Sequence, residues 1–308
     1  MMVGVCLITY NQEQYISQAI DSVLAQVGCG EEIRIYVGDD CSTDQTGDIC
    51  KEYGNKIVYI RQVKNLGLVG NTLDILSRII DDGCDYVAML DGDDYWCDEH
   101  KLQKEISFLA QHQDCGLIHT CVDIIYNEKI IQDKRNKASL ENVFGKIENY
   151  RIGNCSVVFR TSLLSHIKFQ EFSMQGFMSC DYVMYAIFSK YTKFGFIPEH
   201  TAIWRRGHNS VSNTNDIEKQ IYYINNDLAQ WKYLASNFPE RWQYDKSSAE
   251  RYYHKRAFTI AFNMGDYFKA KNECGYISNK SIKDTLRKWC LISPPTYKSV
   301  LWIRNHIK

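Results

Sequence analysis

The sequence predicts a doubly wound, mostly parallel α/β sheet of Rossmann-like type, followed by a helical C-terminal region. Three observations carry this expectation. Short apolar runs alternate with helix-period runs over the first hundred residues, the pattern of strands joined by crossover helices. Two of those runs end abruptly in carboxylates, at Asp39-Asp40 and at Asp91-Gly92-Asp93-Asp94, so acids collect along the carboxyl edge where open α/β sheets bind ligands. Beyond residue 212 the reading changes to aromatic-rich helices, which divides the chain into an α/β domain, 1–212, and a helical region, 213–308.

The first strand is VGVCLI, residues 3–8, leading into Thr9-Tyr10-Asn11-Gln12. Over 12–26 the residues Tyr15, Ile16, Ala19, Ile20, Val23 and Leu24 recur at helical spacing and give one face for packing on a sheet. IRIYV, 33–37, is the second strand, and Thr43 or Asp44 is a sound N-cap for a helix to about Tyr53. IVYIR, 57–61, is the third, and Asn65-Leu66-Gly67 leads into a helix ending near Ile80. The fourth, Tyr86 to Leu90, is apolar along its length and reads as buried. A helix over 98–112, strands in 116–132 and 154–160, a helix over 181–190 and two short strands within 194–204 complete the domain, and helices over 217–237 and 247–273 follow.

Composition narrows the class. With 308 residues, 45% of them hydrophobic and 24% charged, the chain can bury a sizeable core. Its 12 cysteines are scattered singly, with no Cys-x-x-Cys pair, and fit a reducing cytoplasmic setting. No basic leader segment and no apolar run of bilayer length is present. Net charge is −1, but residues 269–308 hold nine Lys/Arg against Glu273 and Asp284. A mildly acidic body with a basic tail argues against a nucleic-acid partner. There is no Gly-x-Gly-x-x-Gly after the first strand and no Gly-Lys-Ser/Thr loop, which argues against a nicotinamide enzyme or a P-loop NTPase.

Asp91, Asp93 and Asp94 lie within four positions and would repel one another by on the order of a few kcal/mol if desolvated together. They need a cation or bulk water. Oxygen-only ligands favour Mg²⁺ or Mn²⁺, ions that keep several waters and take further ligands from substrate phosphates. The competing reading is a solvated acidic turn, with Asp94 or Asp98 capping the next helix.

In order, Thr-Tyr-Asn, Asp-Asp-x-Ser-Thr-Asp, Asn-x-Gly and Asp-x-Asp-Asp make the chain resemble the family 2 glycosyltransferases of the GT-A fold, of the bacterial surface-polysaccharide type, over about residues 1–212. The resemblance implies metal-dependent, inverting transfer of a sugar from a nucleoside-diphosphate donor to an acceptor hydroxyl. It puts Thr9, Tyr10, Asn11, Asp40, Asn65, Gly67, Asp91, Arg206 and His208 around the donor, with Tyr10 against the base and Asp40 accepting from it. Asp91, Asp93 and Asp94, with His208, would hold Mn²⁺ or Mg²⁺. Asp181 falls where the family places its general base, and a helix cap is the plainer role for it. Gly153, Asn154 and Ser156 line the sugar or acceptor side by the same resemblance, or serve only the strand edge. The chain departs from the family pattern at Ile8, Cys41, Gly70-Asn71-Thr72 and Cys180, which leaves UDP- and dTDP-sugars both open. A non-catalytic nucleotide- or glycan-binding module and a sugar nucleotidyltransferase are the alternatives.

In the tail, Ile282, Leu286, Trp289 and Cys290 share one helical face beside Lys283, Arg287 and Lys288, Pro294-Pro295 break the chain, and Tyr297, Val300, Leu301, Trp302, Ile303 and Ile307 follow. Tryptophan and lysine on amphipathic segments suit an anionic membrane surface. Residues 280–308 are therefore expected either to attach the protein to the inner face of the cytoplasmic membrane, near a glycan or lipid-linked glycan acceptor, or to pack on the body.

Overall fold

The computed structural model describes residues 1–30, 32–126, 129–132, 152–206, 216–276, 285, 288 and 290–306. They fall in two compact units, 1–208 and 209–308. The first unit is built on one nine-stranded mixed sheet in the order β3-β2-β1-β4-β8-β6-β9-β5, with β7 pairing β6. The strands are β1 Met2–Thr9, β2 Glu32–Asp39, β3 Val58–Arg61, β4 Tyr86–Asp91, β5 Tyr95–Trp96, β6 Cys115–Tyr126, β7 Lys129–Ile131, β8 Val158–Arg160 and β9 Lys193–Arg206.

The first four strands run parallel, and β1 pairs β2 on one side and β4 on the other. Strand order therefore reverses at β1, which makes the crevice beyond the carboxyl ends of β1 and β4 the topological switch point of the sheet. Register brings the right residues to it, because Thr9 lies opposite Asp39 and Ile8 opposite Asp91. The crossover helices are α1 Ile16–Leu24, α2 Thr46–Glu52 and α3 Gly67–Asp81. Ile16, Ala19, Ile20 and Val23 of α1 pack with Val3, Val5 and Leu7 of β1 and with Leu102, Ile106 and Leu109 of α4 Lys101–Gln111. Each of these Val, Leu and Ile side chains stabilises the fold by about 1.5–3 kcal/mol when fully buried. Helices α5 Phe169–Ser173 and α6 Asp181–Tyr191 complete the unit.

The region expected as two short strands within 194–204 is one strand, β9, running parallel to β6. Its pairing jumps from Ile197 opposite Thr120 to His200 opposite Cys121. Pro198 sits in that bulge, where its missing N–H costs no ladder hydrogen bond. The run 116–132 holds two strands, β6 and β7, paired antiparallel.

The second unit is helical: α7 Ile217–Asn237, α8 Lys246–Met264, α9 Tyr267–Cys274 and α10 Pro294–His306. The single helix expected over 247–273 is two, because Gly265 ends α8 in a left-handed conformation and Asp266 caps α9 through the Lys269 N–H. Pro294-Pro295 begin α10 rather than merely interrupting the chain, as suits residues that need no N–H in the first helical turn. Tyr297 of α10 is buried against Phe258, Phe262 and Leu291, and its hydroxyl donates to the carbonyls of Ala261 and Phe262. Trp302 is 60% exposed. Residues 280–284, 286–287, 289 and 307–308 of the predicted tail lie outside the described residues.

Candidate active site

The loop after β1 and the loop after β2 are zipped together by short polar side chains. Asn11, left-handed at φ 52°, receives the Thr43 N–H on its side-chain oxygen at 2.7 Å, while its own N–H donates to Ser42 Oγ at 2.9 Å. The Gln12 N–H donates to Thr46 Oγ1 and the Glu13 N–H to Asp44 Oδ2. Asp44 also accepts the Thr46 N–H at 3.0 Å, but the N-cap of α2 is Gln45 rather than the Thr43 or Asp44 expected from the sequence, and Asp44 serves to tie the two loops together. Tyr10 is left 44% exposed on the rim, its ring open to a flat partner. Thr9 is buried, and its hydroxyl donates to Gln12 Oε1.

The two acids that end β2 have different tasks. Asp39 is fully buried and accepts from Tyr59 Oη, Arg61 Nη1 and the Ser42 N–H, which fixes it as the structural anchor of the loop. Asp40 takes the Leu66 N–H on Oδ1 at 2.6 Å, and its carbonyl accepts from Asn65 Nδ2. Burial pushes the Asp40 carboxyl up, against the pull of the Leu66 and Gly67 N–H groups. Gly67 stands at φ 75°, a conformation costly for any residue with a Cβ, and its N–H returns to Asn65 Oδ1. Asp40, Asn65 and Gly67, expected around the donor, thus form one connected rim. Asn71 is instead a buried bracket, donating to the Gly38 carbonyl and accepting from Gln62.

The acid turn follows β4. A Cβ on Gly92 would lie 2.5 Å from Gln12 Oε1 and 2.9 Å from Thr9, so only glycine lets this turn approach the β1 loop. Asp91 receives both of its hydrogen-bonding contacts from Asn154 Nδ2, at 3.3 Å to each oxygen. Burial, with Asp93 and Asp181 as neighbouring charges, pushes the Asp91 carboxyl up to about 7, against the pull of Asn154. Asp94 is 2% exposed, and its Oδ1 accepts the Arg205 N–H at 2.9 Å. Burial pushes its carboxyl up as well, with Asp93 and Asp91 adding to the effect. Among the described residues no group of three His, Cys, Asp or Glu side chains forms a ready-made metal site. Crowded carboxylates of one sign, two of them held towards the neutral form by burial and each other, fit a hard divalent cation that draws its remaining ligands from phosphates.

Asp181 is the first residue of α6, where the helix dipole favours its charge, and it is near enough to Asp91 to raise that carboxyl. Arg205 stands beside Arg206 at the end of β9. Its guanidinium donates to the Asp93 carbonyl at 2.6 Å and to Gln18 Oε1, and lies over the rings of Tyr15 and Tyr95. It is the clamp between the acid turn, α1 and β9. Arg206 is exposed and stacks on Trp204, which packs against the core. His208 lies outside the described residues.

With this geometry in view, comparison with known proteins assigns the chain. The model of glycosyl transferase family 2 matches residues 4–168. The chain belongs to glycosyl transferase family 2. The poly(ribitol-phosphate) beta-N-acetylglucosaminyltransferase TarS of Staphylococcus aureus is 32% identical over 120 residues, 38% of this chain and 20% of that protein. The putative teichuronic acid biosynthesis glycosyltransferase TuaG of Bacillus subtilis is 31% identical over 138 residues, 43% of this chain and 51% of that protein. An uncharacterized protein of Mycobacterium tuberculosis is 34% identical over 125 residues, 39% of this chain and 35% of that protein. The chain thus matches only a fifth to a half of the length of these relatives. In fold, S. aureus TarS 1–349 in complex with UDP-GlcNAc superposes with a TM-score of 0.59 at 16% identity, over 100% of this chain and 93% of that one. The Pyrobaculum calidifontis mannosyltransferase PcManGT with GDP-Man and Mn²⁺ gives 0.58 at 14% identity, over 98% and 84%. Family 2 membership and the GT-A fold expected from the sequence both stand.

Proposed function

We propose that this family 2 protein transfers a sugar from a nucleoside-diphosphate donor to a glycan hydroxyl in one inverting displacement, in the synthesis of a surface polysaccharide. The observation that carries the reading is the meeting of the Tyr10–Asp40 rim, the Asp91-Gly92-Asp93-Asp94 turn and Asp181 at one switch-point crevice. Tyr10 and Asp40 receive the base, a uracil or thymine imide suiting the carboxylate oxygen that Leu66 does not occupy. Asn65 and Gly67 hold that rim in shape. Asp91 and Asp93 would hold Mn²⁺ or Mg²⁺ at the diphosphate, with Asp94 behind them keyed to β9, and the family resemblance adds His208 as a further ligand. The ion supplies Lewis acidity to the departing diphosphate. Arg206 adds a guanidinium to the same phosphates. Asp181, ionised at a helix start, takes the proton of the attacking hydroxyl while the anomeric carbon gains oxocarbenium character.

TarS is named as acting on poly(ribitol-phosphate) and TuaG in teichuronic acid synthesis, and an acceptor of that kind, glycan or lipid-linked, is the one we propose here. No described helix is long and apolar enough to cross a membrane. Exposed Trp302 beside the basic residues of the tail supports contact of 280–308 with an anionic membrane surface from the cytoplasmic side.

Two carboxamide variants test the assignment of roles. Asp93→Asn abolishes transfer together with Mn²⁺-dependent binding of nucleoside diphosphate, whereas Asp181→Asn abolishes transfer alone. Full activity of either variant, with the fold intact by circular dichroism, removes that residue from its role.

A further inference from the structure

Asn154 lies in a 3-10 turn, Asn154–Ser156, just before β8, and faces two other parts of the site at once. Its Nδ2 contacts both oxygens of Asp91. Its Oδ1 accepts from the hydroxyl of Tyr185 at 2.7 Å, one helical turn beyond Asp181 on α6. The two contacts fix each other. With its NH₂ turned to Asp91, the amide has only its carbonyl oxygen left for Tyr185 to meet. Burial keeps the Tyr185 phenol protonated and able to donate. The flanking residues do not share the task, since Ser156 Oγ turns back to the Gly153 carbonyl and a Cβ on Gly153 would strike Val122.

We propose that Asn154, held by Tyr185, is a positioning residue that orients the Asp91 carboxylate and ties it to the helix carrying Asp181. The inference rests on the glycosyltransferase reading above. It adds the means by which the donor-side acid of β4 and the acceptor-side base of α6 are kept in one register, although they sit on elements 90 residues apart in sequence. Register of this kind governs rate, because a displacement of about 1 Å between reacting groups costs about a hundredfold.

The test is a double-mutant cycle on the full-length protein with Asn154→Ala, Tyr185→Phe and both together. It is read by kcat, by KM for the nucleotide sugar, and by calorimetric titration of UDP, GDP and dTDP with Mn²⁺. Tyr185→Phe keeps the buried ring and so preserves the fold, checked by its melting curve. Asn154→Ala is expected to lower kcat by about a hundredfold and to weaken Mn²⁺-dependent diphosphate binding. Tyr185→Phe lowers kcat by at least about tenfold, and the double variant is no slower than Asn154→Ala, the mark of residues acting through one another. Losses that multiply in the double variant, or a Tyr185→Phe protein with wild-type kcat, overturn the proposal. If the wild-type protein neither binds nor turns over any nucleotide sugar, the underlying reading fails and the inference falls with it.

Discussion

At the scale of single residues, the site separates carboxylates that hold the loops from carboxylates left for chemistry. Asp39 spends its oxygens on Tyr59, Arg61 and Ser42, whereas the Asp40 carboxylate accepts the backbone N–H of Leu66 on Oδ1. Asp39→Asn is therefore expected to lower the melting temperature through a buried carboxylate network, and Asp40→Asn to weaken nucleotide binding with little change in melting; differential scanning fluorimetry with and without UDP separates the two. Cys41 stands at φ 64°, where the left-handed conformation is costly for a side chain with a Cβ. Cys41→Gly is accepted there with no loss of stability, and Cys41→Val, β-branched, loses about 1–2 kcal/mol by chemical denaturation. Equal stability of the two variants would contradict the strain argument.

At the scale of elements, α4 carries a buried ion pair, Lys101 to Glu105, with Lys101 Nζ also 4.7 Å from the centre of the Trp96 ring. One Glu105 oxygen has no partner, and burial pushes that carboxyl up to about 7 against the pull of Lys101. A folded pKa raised above the ordinary glutamate value of 4.5 gives a contribution that is complete below 4.5 and lost as pH rises through 7. Wild-type unfolding free energy is expected to fall over that window more steeply than that of Glu105→Gln. Lys101→Met strands a buried carboxylate and costs about 3–5 kcal/mol, while adding Glu105→Leu recovers most of it. Periodicity made the four parallel strands and α1 to α3 legible, because burial on one face leaves a strong sequence signal. It did not reveal β9 as one strand, since Pro198 reads as a break until its bulge is seen, nor the end of α8 at Gly265. The acids were legible because they end strands. The contacts of Arg205 and Asn154 were not, because they are set by tertiary pairing of β9 and β8 with distant elements, which no local spacing encodes.

At the scale of the whole molecule, each unit has its own core, and the tail contributes to the second. Tyr297 and Leu291 pack among Phe258, Ala261, Phe262 and Ala270, and removal of a buried aromatic alone costs about 3–5 kcal/mol. Truncation at residue 279 is therefore expected to unfold the helical unit, seen as a loss of helical ellipticity. Membrane contact is better tested on the intact chain: co-sedimentation with phosphatidylserine vesicles at low salt, lost at high salt and weakened by Trp302→Ser, supports it, and absence of binding at low salt removes it. The central claim concerns the crevice at the switch point between β1 and β4, and one measurement addresses it directly. The wild-type and Asp93→Asn proteins are each incubated with a panel of UDP-, dTDP- and GDP-sugars and Mn²⁺, and release of nucleoside diphosphate is followed. The account predicts selective turnover of one nucleotide sugar by the wild type and none by Asp93→Asn; no turnover of any donor, or turnover undiminished in Asp93→Asn, would contradict it.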